Sequence, residues 1–137
     1  MKKNKLRSVS DAELIYSYYL VAKKKLVSAT GNLTKRSPKN ENILSKDGVF
    51  AYKYARYFLK NRFELGEEEI GNSIEYSYYY AVNVIKNKLP DKMHNKMLGH
   101  ALEQPENEFI KKYFEWIKTV DNKDLQGTNK KDSNQKE

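Results

Sequence analysis

In this 137-residue chain, the side chains best suited to catalysis or metal binding are those of histidine and of the acidic residues. Its two histidines, His94 and His100, are six residues apart, which corresponds to about 240° around a helix of 3.6 residues per turn. They do not share a helical face, so the spacing excludes a metal site built from two histidines of one helix. Glu103 follows His100 by three residues, a spacing more typical of a surface pair than of a catalytic pair. We expect no catalytic residue, no metal and no cofactor.

Three consecutive carboxylates, Glu67, Glu68 and Glu69, could bind a cation or a basic partner. Negative charge also stabilises the first turn of a helix, and the start of a short helix is the interpretation that we favour. Acid–base catalysis would need carboxylates in a shared pocket with shifted pKa values, which nothing in the sequence indicates. No glycine-rich phosphate loop and no Ser-His-Asp pattern is present. We therefore predict that the protein is not an enzyme and has no small-molecule substrate.

The eleven tyrosines are the most unusual feature of the composition. Such rings can stack on the bases of single-stranded nucleic acid, or they can pack between helices with the hydroxyl at the surface. Helical spacing predicts packing for four of them, namely Tyr54, Tyr57, Tyr76 and Tyr80. Three others fall off this stripe and are predicted to be exposed and to contact a partner: Tyr52, Tyr78 and Tyr79.

The basic side chains are concentrated near the N-terminus. Residues 1–39 hold ten basic and two acidic residues, which accounts for the whole net charge of +8. Such asymmetry is typical of a patch that binds nucleic acid or another polyanion, although a solvated lysine-rich surface explains it as well. The residues that could contact phosphates are Lys2, Lys3, Lys5, Arg7, Lys23, Lys24, Lys25, Lys35 and Arg36.

These side chains are carried by a chain with an internal repeat. Residues 50–63 and 76–89 align at a shift of 26 residues, which pairs identical residues at 52 and 78, 54 and 80, 55 and 81, 60 and 86, and 61 and 87. Asp47 and Ser73 precede the two copies as N-cap residues and are separated by the same shift. We predict helices from about 47 to 62 and from about 73 to 88. A repeat of this length favours stacked helical units, each a long helix followed by a short one.

The repeat resembles tyrosine-rich helical repeats of similar length in uncharacterised proteins of tailed phages and large DNA viruses. The resemblance covers residues 43–98 and is carried by Ser45-Lys46-Asp47, Tyr52, Tyr54-Ala55-Arg56, Phe58-Leu59-Lys60, Arg62-Phe63 and Gly66-Glu67. The second copy departs from the pattern, with Val82 in place of Arg56 and Pro90-Asp91 in place of Gly66-Glu67. The resemblance implies an all-α, solenoid-like fold and a phage or viral origin. It implies no functional residues.

The flanking segments complete the predicted organisation. Ser10 and Glu13 form a capping box that opens a helix to about residue 27, with an apolar face of Leu14, Tyr18, Val21 and Leu26, together with Ile15 and Ala22. Residues 28–42 are predicted to be a loop, 92–102 and 106–119 two further helices, and 121–137 a disordered tail. This gives a basic N-terminal segment (1–42), a helical-repeat domain (43–120) and the tail (121–137).

These observations predict an all-α protein consisting of a small helical-repeat (solenoid-like) domain, an N-terminal amphipathic helix and a disordered C-terminal tail. Its function is predicted to be that of a non-enzymatic binding or adaptor protein that holds an unknown protein partner. Nucleic-acid binding through the basic N-terminal region is the alternative. No apolar segment long enough to span a membrane is present, and the absence of cysteine favours the cytoplasm, which would be the host cytoplasm for a phage or viral protein.

Overall fold

The computed structural model describes residues 9–121. Within these residues the regular structure is helical, apart from one isolated bridge that pairs Val27 with Leu33. The predicted all-α class is confirmed, whereas the solenoid-like arrangement and the domain boundaries stay predictions. The basic lead of residues 1–8 and residues 122–137 of the predicted disordered tail lie outside the described residues.

The first helix, α1, spans Asp11–Val21 and begins where the capping box predicted. The side-chain oxygen of Ser10 accepts a hydrogen bond from the amide of Glu13 at 3.1 Å, which satisfies one of the amides that a helix start leaves without a helical partner. The helix ends earlier than predicted because Ala22 interrupts it, and a separate single turn, α2, follows over Lys23–Leu26.

The predicted apolar face of α1 is wrong. Ala12, Tyr16 and Tyr19 are its buried residues, and the ring centroid of Tyr19 lies 5.4 Å from that of Tyr54. Leu14, Tyr18 and Val21 are exposed instead, whereas Leu26 and Ile15 are partly buried against the core. Apolar residues occur on every face of α1, so their spacing does not identify the face that is buried. The aromatic contacts of Tyr16 and Tyr19 determine it.

Helix α3 spans Pro38–Leu44 and begins within the segment predicted to be a loop. Ser37 caps it by accepting a hydrogen bond from the amide of Asn40 at 3.2 Å, and Pro38 occupies the first turn, where its missing N–H costs nothing. The loop prediction is therefore wrong for residues 38–42. Ser37 followed by Pro38 is a helix-start signal, an N-cap residue with proline in the first turn.

The two copies of the sequence repeat form two long helices. The first consists of α4, Gly48–Tyr54, and a π-helical segment, Ala55–Leu59. A 3₁₀ turn at Glu64–Gly66 then leads into the short helix α5, Glu67–Gly71. The second copy consists of α6, Ile74–Tyr80, and a π-helical segment, Ala81–Ile85. The predicted caps are confirmed, since Asp47 accepts from two amides and Ser73 from one.

Both long helices end at a lysine in the left-handed conformation, Lys60 with φ 54° and Lys86 with φ 60°. The left-handed backbone conformation cannot continue a right-handed helix, so each helix stops short of its predicted end at 62 or 88. The next residue holds the turn: the side-chain oxygens of Asn61 and Asn87 accept hydrogen bonds from the following amides at 2.7 and 2.6 Å. The local geometry thus recurs with the same period as the sequence.

The chain continues with α7, Asp91–Glu103, and with a last helix, α8, from 108 to 121. Asn107 caps α8 by accepting a hydrogen bond from the amide of Phe109 at 2.8 Å, so this helix begins two residues later than predicted. Neighbouring helices pack in chain order: α1 packs against α3 and α4, α5 against α4 and α6, and α7 against α5 and α6.

Candidate functional site

The first polar cluster of the interior joins Arg36, Glu41 and Tyr54. Arg36 precedes α3, Glu41 lies on α3 and Tyr54 ends α4. The Arg36 guanidinium donates two hydrogen bonds to the Glu41 carboxylate, at 2.6 and 3.0 Å, and the Tyr54 hydroxyl donates a third at 2.5 Å. A buried carboxylate is tolerated only when its lone pairs are bonded in this way. We call this group the first triad.

A second triad, formed by Arg62, Glu67 and Tyr80, repeats the first at the period of the sequence repeat. The Arg62 guanidinium donates to Glu67 at 2.6 and 3.1 Å, and the Tyr80 hydroxyl donates at 2.7 Å. Here the Tyr80 hydroxyl also accepts a hydrogen bond from the amide of Phe63 at 2.9 Å. The second triad therefore ties the start of α5 and the connection before it to the long helix α6.

The corresponding position near the C-terminus has different chemistry. Tyr113 of α8 accepts a hydrogen bond from the amide of Leu89 at 3.2 Å, as Tyr80 does from the amide of Phe63. The second partner of its hydroxyl is Nδ1 of His94 at 2.7 Å, where Tyr80 has a carboxylate. Lys88 takes the place of Arg62 in the repeat alignment. Burial and the charge of Lys88 lower the pKa of His94 from its ordinary value.

The electrostatics of the triads favour a fixed protonation state. Burial, together with the hydrogen bond to the carboxylate, raises the pKa of Tyr54 and of Tyr80 far above the ordinary tyrosine value. Hydrogen bonding to Glu41 and Glu67 raises the pKa of Arg36 and Arg62 in the same way. These tyrosines stay neutral donors and the arginines stay charged, so each triad acts as a permanent structural link between a short helix and a long one.

One surface of the second triad faces a cleft of about 680 Å³ between α5 and α7. Its walls carry both signs of charge and two apolar side chains. They are formed by Arg62, Glu64, Leu65, Glu67, Glu68, Lys92, Met93 and Lys96. Glu67, the first residue of the acidic run, thus forms the start of the short helix as predicted and also bonds the triad. No group of three potential metal ligands occurs among residues 9–121.

The tyrosines predicted to contact a partner are less accessible than expected. Tyr52 is only 4% exposed, so the prediction of its exposure is wrong. Its hydroxyl accepts hydrogen bonds from Arg56 and Asn83, both at 2.9 Å, and so links the two long helices. Tyr78 and Tyr79 are partly buried, with ring centroids 6.1 and 5.6 Å from that of Phe109. These two retain some surface for a partner.

The prediction of packing is confirmed for Tyr54 and Tyr80, which are fully buried, and Tyr76 is partly buried. Their hydroxyls do not reach the surface as expected, because Glu41 and Glu67 bind those of Tyr54 and Tyr80 inside the core. Tyr57 is 43% exposed and does not belong to the packed set. It lies in the π-helical segment, where wider turns rotate a residue three positions after Tyr54 away from the core.

The predicted phosphate contacts divide into three groups. Lys2, Lys3, Lys5 and Arg7 lie outside the described residues. Lys23, Lys24, Lys25 and Lys35 are exposed and available. Arg36 is bound in the first triad, so the structure gives it an internal partner that the sequence analysis did not foresee. The repeat shift of 26 residues also aligns Arg36 with Arg62 and Glu41 with Glu67, so the sequence contains a signal for both triads.

Two helices within residues 9–121 have exposed apolar faces. The α1 stripe consists of Leu14, Tyr18 and Val21, whose spacings of four and three residues place them on one side of the helix. Val21 is 88% exposed. The α7 pair consists of Leu98 and Leu102, four residues apart, and Leu102 is 87% exposed. Contiguous exposed apolar side chains on a helix face are typical of an interaction site.

Comparison of this chain with protein-family models, with curated proteins and with solved structures gives no significant match. Function is therefore inferred from the residues and surfaces described above. Among residues 9–121, no helix has the length and apolar content needed to cross a membrane.

Proposed function

We propose that this chain is a non-enzymatic binding protein that holds a protein partner on the exposed apolar face of α1. The observation that carries the proposal is the α1 stripe of Leu14, Tyr18 and Val21, which is exposed although the helix behind it is anchored in the core. An apolar stripe of helical period fits the groove or the helix of another protein, whereas a phosphate backbone would require converging positive charge.

The rest of the molecule would serve as a rigid support for this face. We infer that residues 36–61 and 62–87 are stacked, solenoid-like units. The inference is supported by the recurrence of the triad, the π-helical segment and the left-handed lysine, all at the shift of the sequence repeat. Stacked units hold a surface residue in a defined position, which suits a protein that must present the same face to each partner molecule.

Tyr78 and Tyr79 would add a second contact area on the second long helix, at α6. Their rings are partly buried against Phe109, and Trp116 lies beside Tyr78 in a shallow depression of about 370 Å³. Rigid, half-exposed aromatic rings are common in protein interfaces because little side-chain entropy is lost when they are covered. We assign them a supporting role, since more of the α1 stripe is exposed.

A comparison of three purified baits tests the proposal. Wild-type protein, the double variant Leu14→Asp with Val21→Asp, and the control variant Leu65→Asp are each exposed to an extract of the cells that produce the protein. Leu65 is an exposed apolar residue away from α1, so its variant controls for added charge. A partner retained by wild type and by Leu65→Asp but lost from the double variant supports the proposal. Equal retention by all three baits refutes it.

Nucleic-acid binding is a second candidate, favoured by the exposed side chains of Lys23, Lys24, Lys25 and Lys35. Binding to random DNA and RNA at two salt concentrations distinguishes it. Affinity that falls steeply with salt, and that is lost when Lys23, Lys24 and Lys25 are replaced by glutamine, would support this candidate. No binding at low salt excludes it.

A further inference from the structure

The connections that follow α1 and the two long helices meet along one edge of the molecule. They are residues 22–37, 60–66 and 86–90. The amide of Leu33, in the first connection, donates to the carbonyl of Phe58 at 2.9 Å, near the end of the first long helix. The ammonium of Lys60 lies beside Gly31, since a Cβ atom placed on that glycine would be 3.1 Å from Nζ. The second and third connections line a common depression of about 400 Å³, so the three form one surface.

Positive charge dominates this surface, which we call the basic edge. The three connections hold nine basic side chains and a single acidic one, Glu64. The first two residues of α3, α5 and α7, together with Glu41 of the first triad, add two basic and four acidic side chains: Lys39, Lys92, Glu41, Glu67, Glu68 and Asp91. With all of these included, the basic edge has eleven basic and five acidic residues, a net charge of +6. The rest of residues 9–121 has seven basic and ten acidic residues, a net charge of −3.

The carboxylates near the basic edge do not neutralise its lysines. Glu41 and Glu67 are bound by the arginines of the triads. On α8, whose Trp116 donates to the carbonyl of Asn87, Glu115 pairs with Lys118. The other exposed carboxylates at or beside the edge are those of Glu64, Glu68, Asp91 and Asp121. Seven exposed lysines of the edge form no ion pair within residues 9–121: Lys23, Lys24, Lys25, Lys35, Lys60, Lys86 and Lys88.

Two of these lysines have a backbone conformation that does not suit them. Lys60 and Lys86 are left-handed, a conformation that is unfavourable for lysine and easy for glycine. Glycine would therefore serve these turns better if the turn were all that mattered. Both copies of the repeat have lysine instead, and each is followed two residues later by a second cation, Arg62 or Lys88. Strain that is retained at a charged, exposed residue indicates a role for the charge outside the fold.

The arginines of the triads add oriented donors to the basic edge. In each triad, Nε and Nη2 bind the carboxylate, and Nη1 makes no hydrogen bond within the part of the chain that the structure describes. The side chains of Arg36 and Arg62 are nevertheless 55% and 43% exposed. A guanidinium that a carboxylate already holds in place can offer its remaining N–H groups to a phosphate at little further cost in side-chain freedom.

We propose that the basic edge binds the phosphate backbone of nucleic acid without reading its base sequence. Cations that recur from one connection to the next match the regularly repeated phosphates of a nucleic-acid strand, which an acidic protein surface does not present. This site is separate from the α1 stripe, and it extends the nucleic-acid candidate to Lys60, Arg62, Lys86 and Lys88. The chain would then join a protein partner to nucleic acid.

Fluorescence anisotropy of the purified full chain with labelled, random-sequence nucleic acids tests the proposal. The probes are duplex DNA, single-stranded DNA and single-stranded RNA. If about four phosphates are contacted, the affinity for duplex DNA should fall about 100-fold between about 50 and about 200 mM salt. No binding to any of the three probes at about 50 mM salt overturns the proposal. Binding to polyglutamate, or to vesicles of anionic lipid, as tightly as to the nucleic acids also overturns it.

Two matched double variants locate the contact. Lys60→Gln with Lys86→Gln should lower the affinity at about 50 mM salt about tenfold and reduce the salt slope by about two. The control is Lys46→Gln with Lys112→Gln, which removes the same charge from exposed lysines outside the basic edge and should change the affinity less than about threefold. Thermal unfolding should be the same for both variants, because all four side chains are partly or largely in water. Equal losses of affinity would mean that net charge alone determines binding, and the proposal would be wrong.

A third comparison separates the basic edge from the second candidate function. Replacing Lys60 and Lys86 by arginine keeps both charges and should leave the affinity at the wild-type value. If replacing Lys23, Lys24 and Lys25 by glutamine abolishes binding while Lys60→Gln with Lys86→Gln has no effect, the second candidate stands and the basic edge is refuted. None of these outcomes bears on the α1 stripe, whose test measures retention of a protein.

Discussion

Replacing Tyr80 by phenylalanine removes one oxygen atom from the core and two hydrogen bonds with it. The hydroxyl donates to Glu67 at 2.7 Å and accepts from the Phe63 amide at 2.9 Å. A hydrogen bond to a charged group contributes about 1.5–3 kcal/mol, and a buried amide left without a partner costs about 1–3 kcal/mol. Arg62 still holds the carboxylate, which limits the loss. We expect Tyr80→Phe to lower the free energy of unfolding by about 3 kcal/mol.

Tyr54→Phe is the matched control for this prediction. Tyr54 is equally buried and its hydroxyl donates to Glu41 at 2.5 Å, but among residues 9–121 it accepts no amide hydrogen bond equivalent to the one from Phe63. The hydrogen bond to the carboxylate is lost but no backbone amide loses its partner, so we expect a loss of about 2 kcal/mol. The difference between the variants, about 1 kcal/mol, measures the cost of the Phe63 amide.

Urea denaturation followed by far-UV circular dichroism measures both values. For a chain of this size, a loss of about 3 kcal/mol corresponds to a fall in Tm of about 10 °C, and the variant should still fold at about 20 °C. The reasoning is refuted if Tyr80→Phe lies within about 0.5 kcal/mol of wild type, or if Tyr54→Phe is the more strongly destabilised of the two.

Three further predictions concern pH and packing. Burial raises the pKa of Tyr16 and Tyr113 to about 12, so the native state keeps their protons to a higher pH than the unfolded chain does. Their contribution to the free energy of unfolding should be fully present below about pH 10 and be lost as the pH rises from about 10 to 12. Urea midpoints over that range measure it. The pKa of His94 is lowered, so the native state prefers neutral histidine; stability should fall as the pH drops below about 6.5, and His94→Gln should make that fall smaller in the same urea series. A Cβ atom on Gly66 would lie 2.7 Å from the Cβ atom of Ala51, whereas one on Gly99 would meet no atom within 4 Å. Gly66→Ala should therefore lower the free energy of unfolding by about 1–3 kcal/mol, and Gly99→Ala should raise it by about 0.5–1 kcal/mol. The opposite order in thermal unfolding would contradict the packing described.

The features predicted correctly from the sequence are those encoded locally. The N-caps Ser10, Asp47 and Ser73 mark helix starts because each side chain bonds an amide two or three residues ahead. The all-α class follows from such signals and from helical periodicity. The predicted ends of the long helices lie beyond the observed ends, because lysine is not a residue type that indicates a left-handed conformation at position 60 or 86.

The features that sequence reasoning missed depend on contacts distant in sequence. Tyr54 and Leu14 both belong to apolar helical patterns, but one is in the core and the other is exposed. The difference depends on which neighbouring helix covers each face, and periodicity does not contain this information. A count of charges alone groups Arg36 with the solvated lysines, because it does not consider which carboxylate could pair with the arginine. Glu41, five residues later, binds it in the structure.

The triads have a consequence for how this chain can change its length during evolution. Each draws its three members from one short stretch, 36–54 or 62–80, so every charge that is taken out of water is neutralised inside its own unit. Duplication or deletion of a whole block such as 62–87 would carry its arginine, carboxylate and tyrosine together and would orphan none of them. A cut elsewhere, for example between Arg62 and Glu67, would leave an unpaired buried charge and be strongly disfavoured. The boundary after the left-handed lysine and its asparagine is therefore where recombination between relatives should preserve folding.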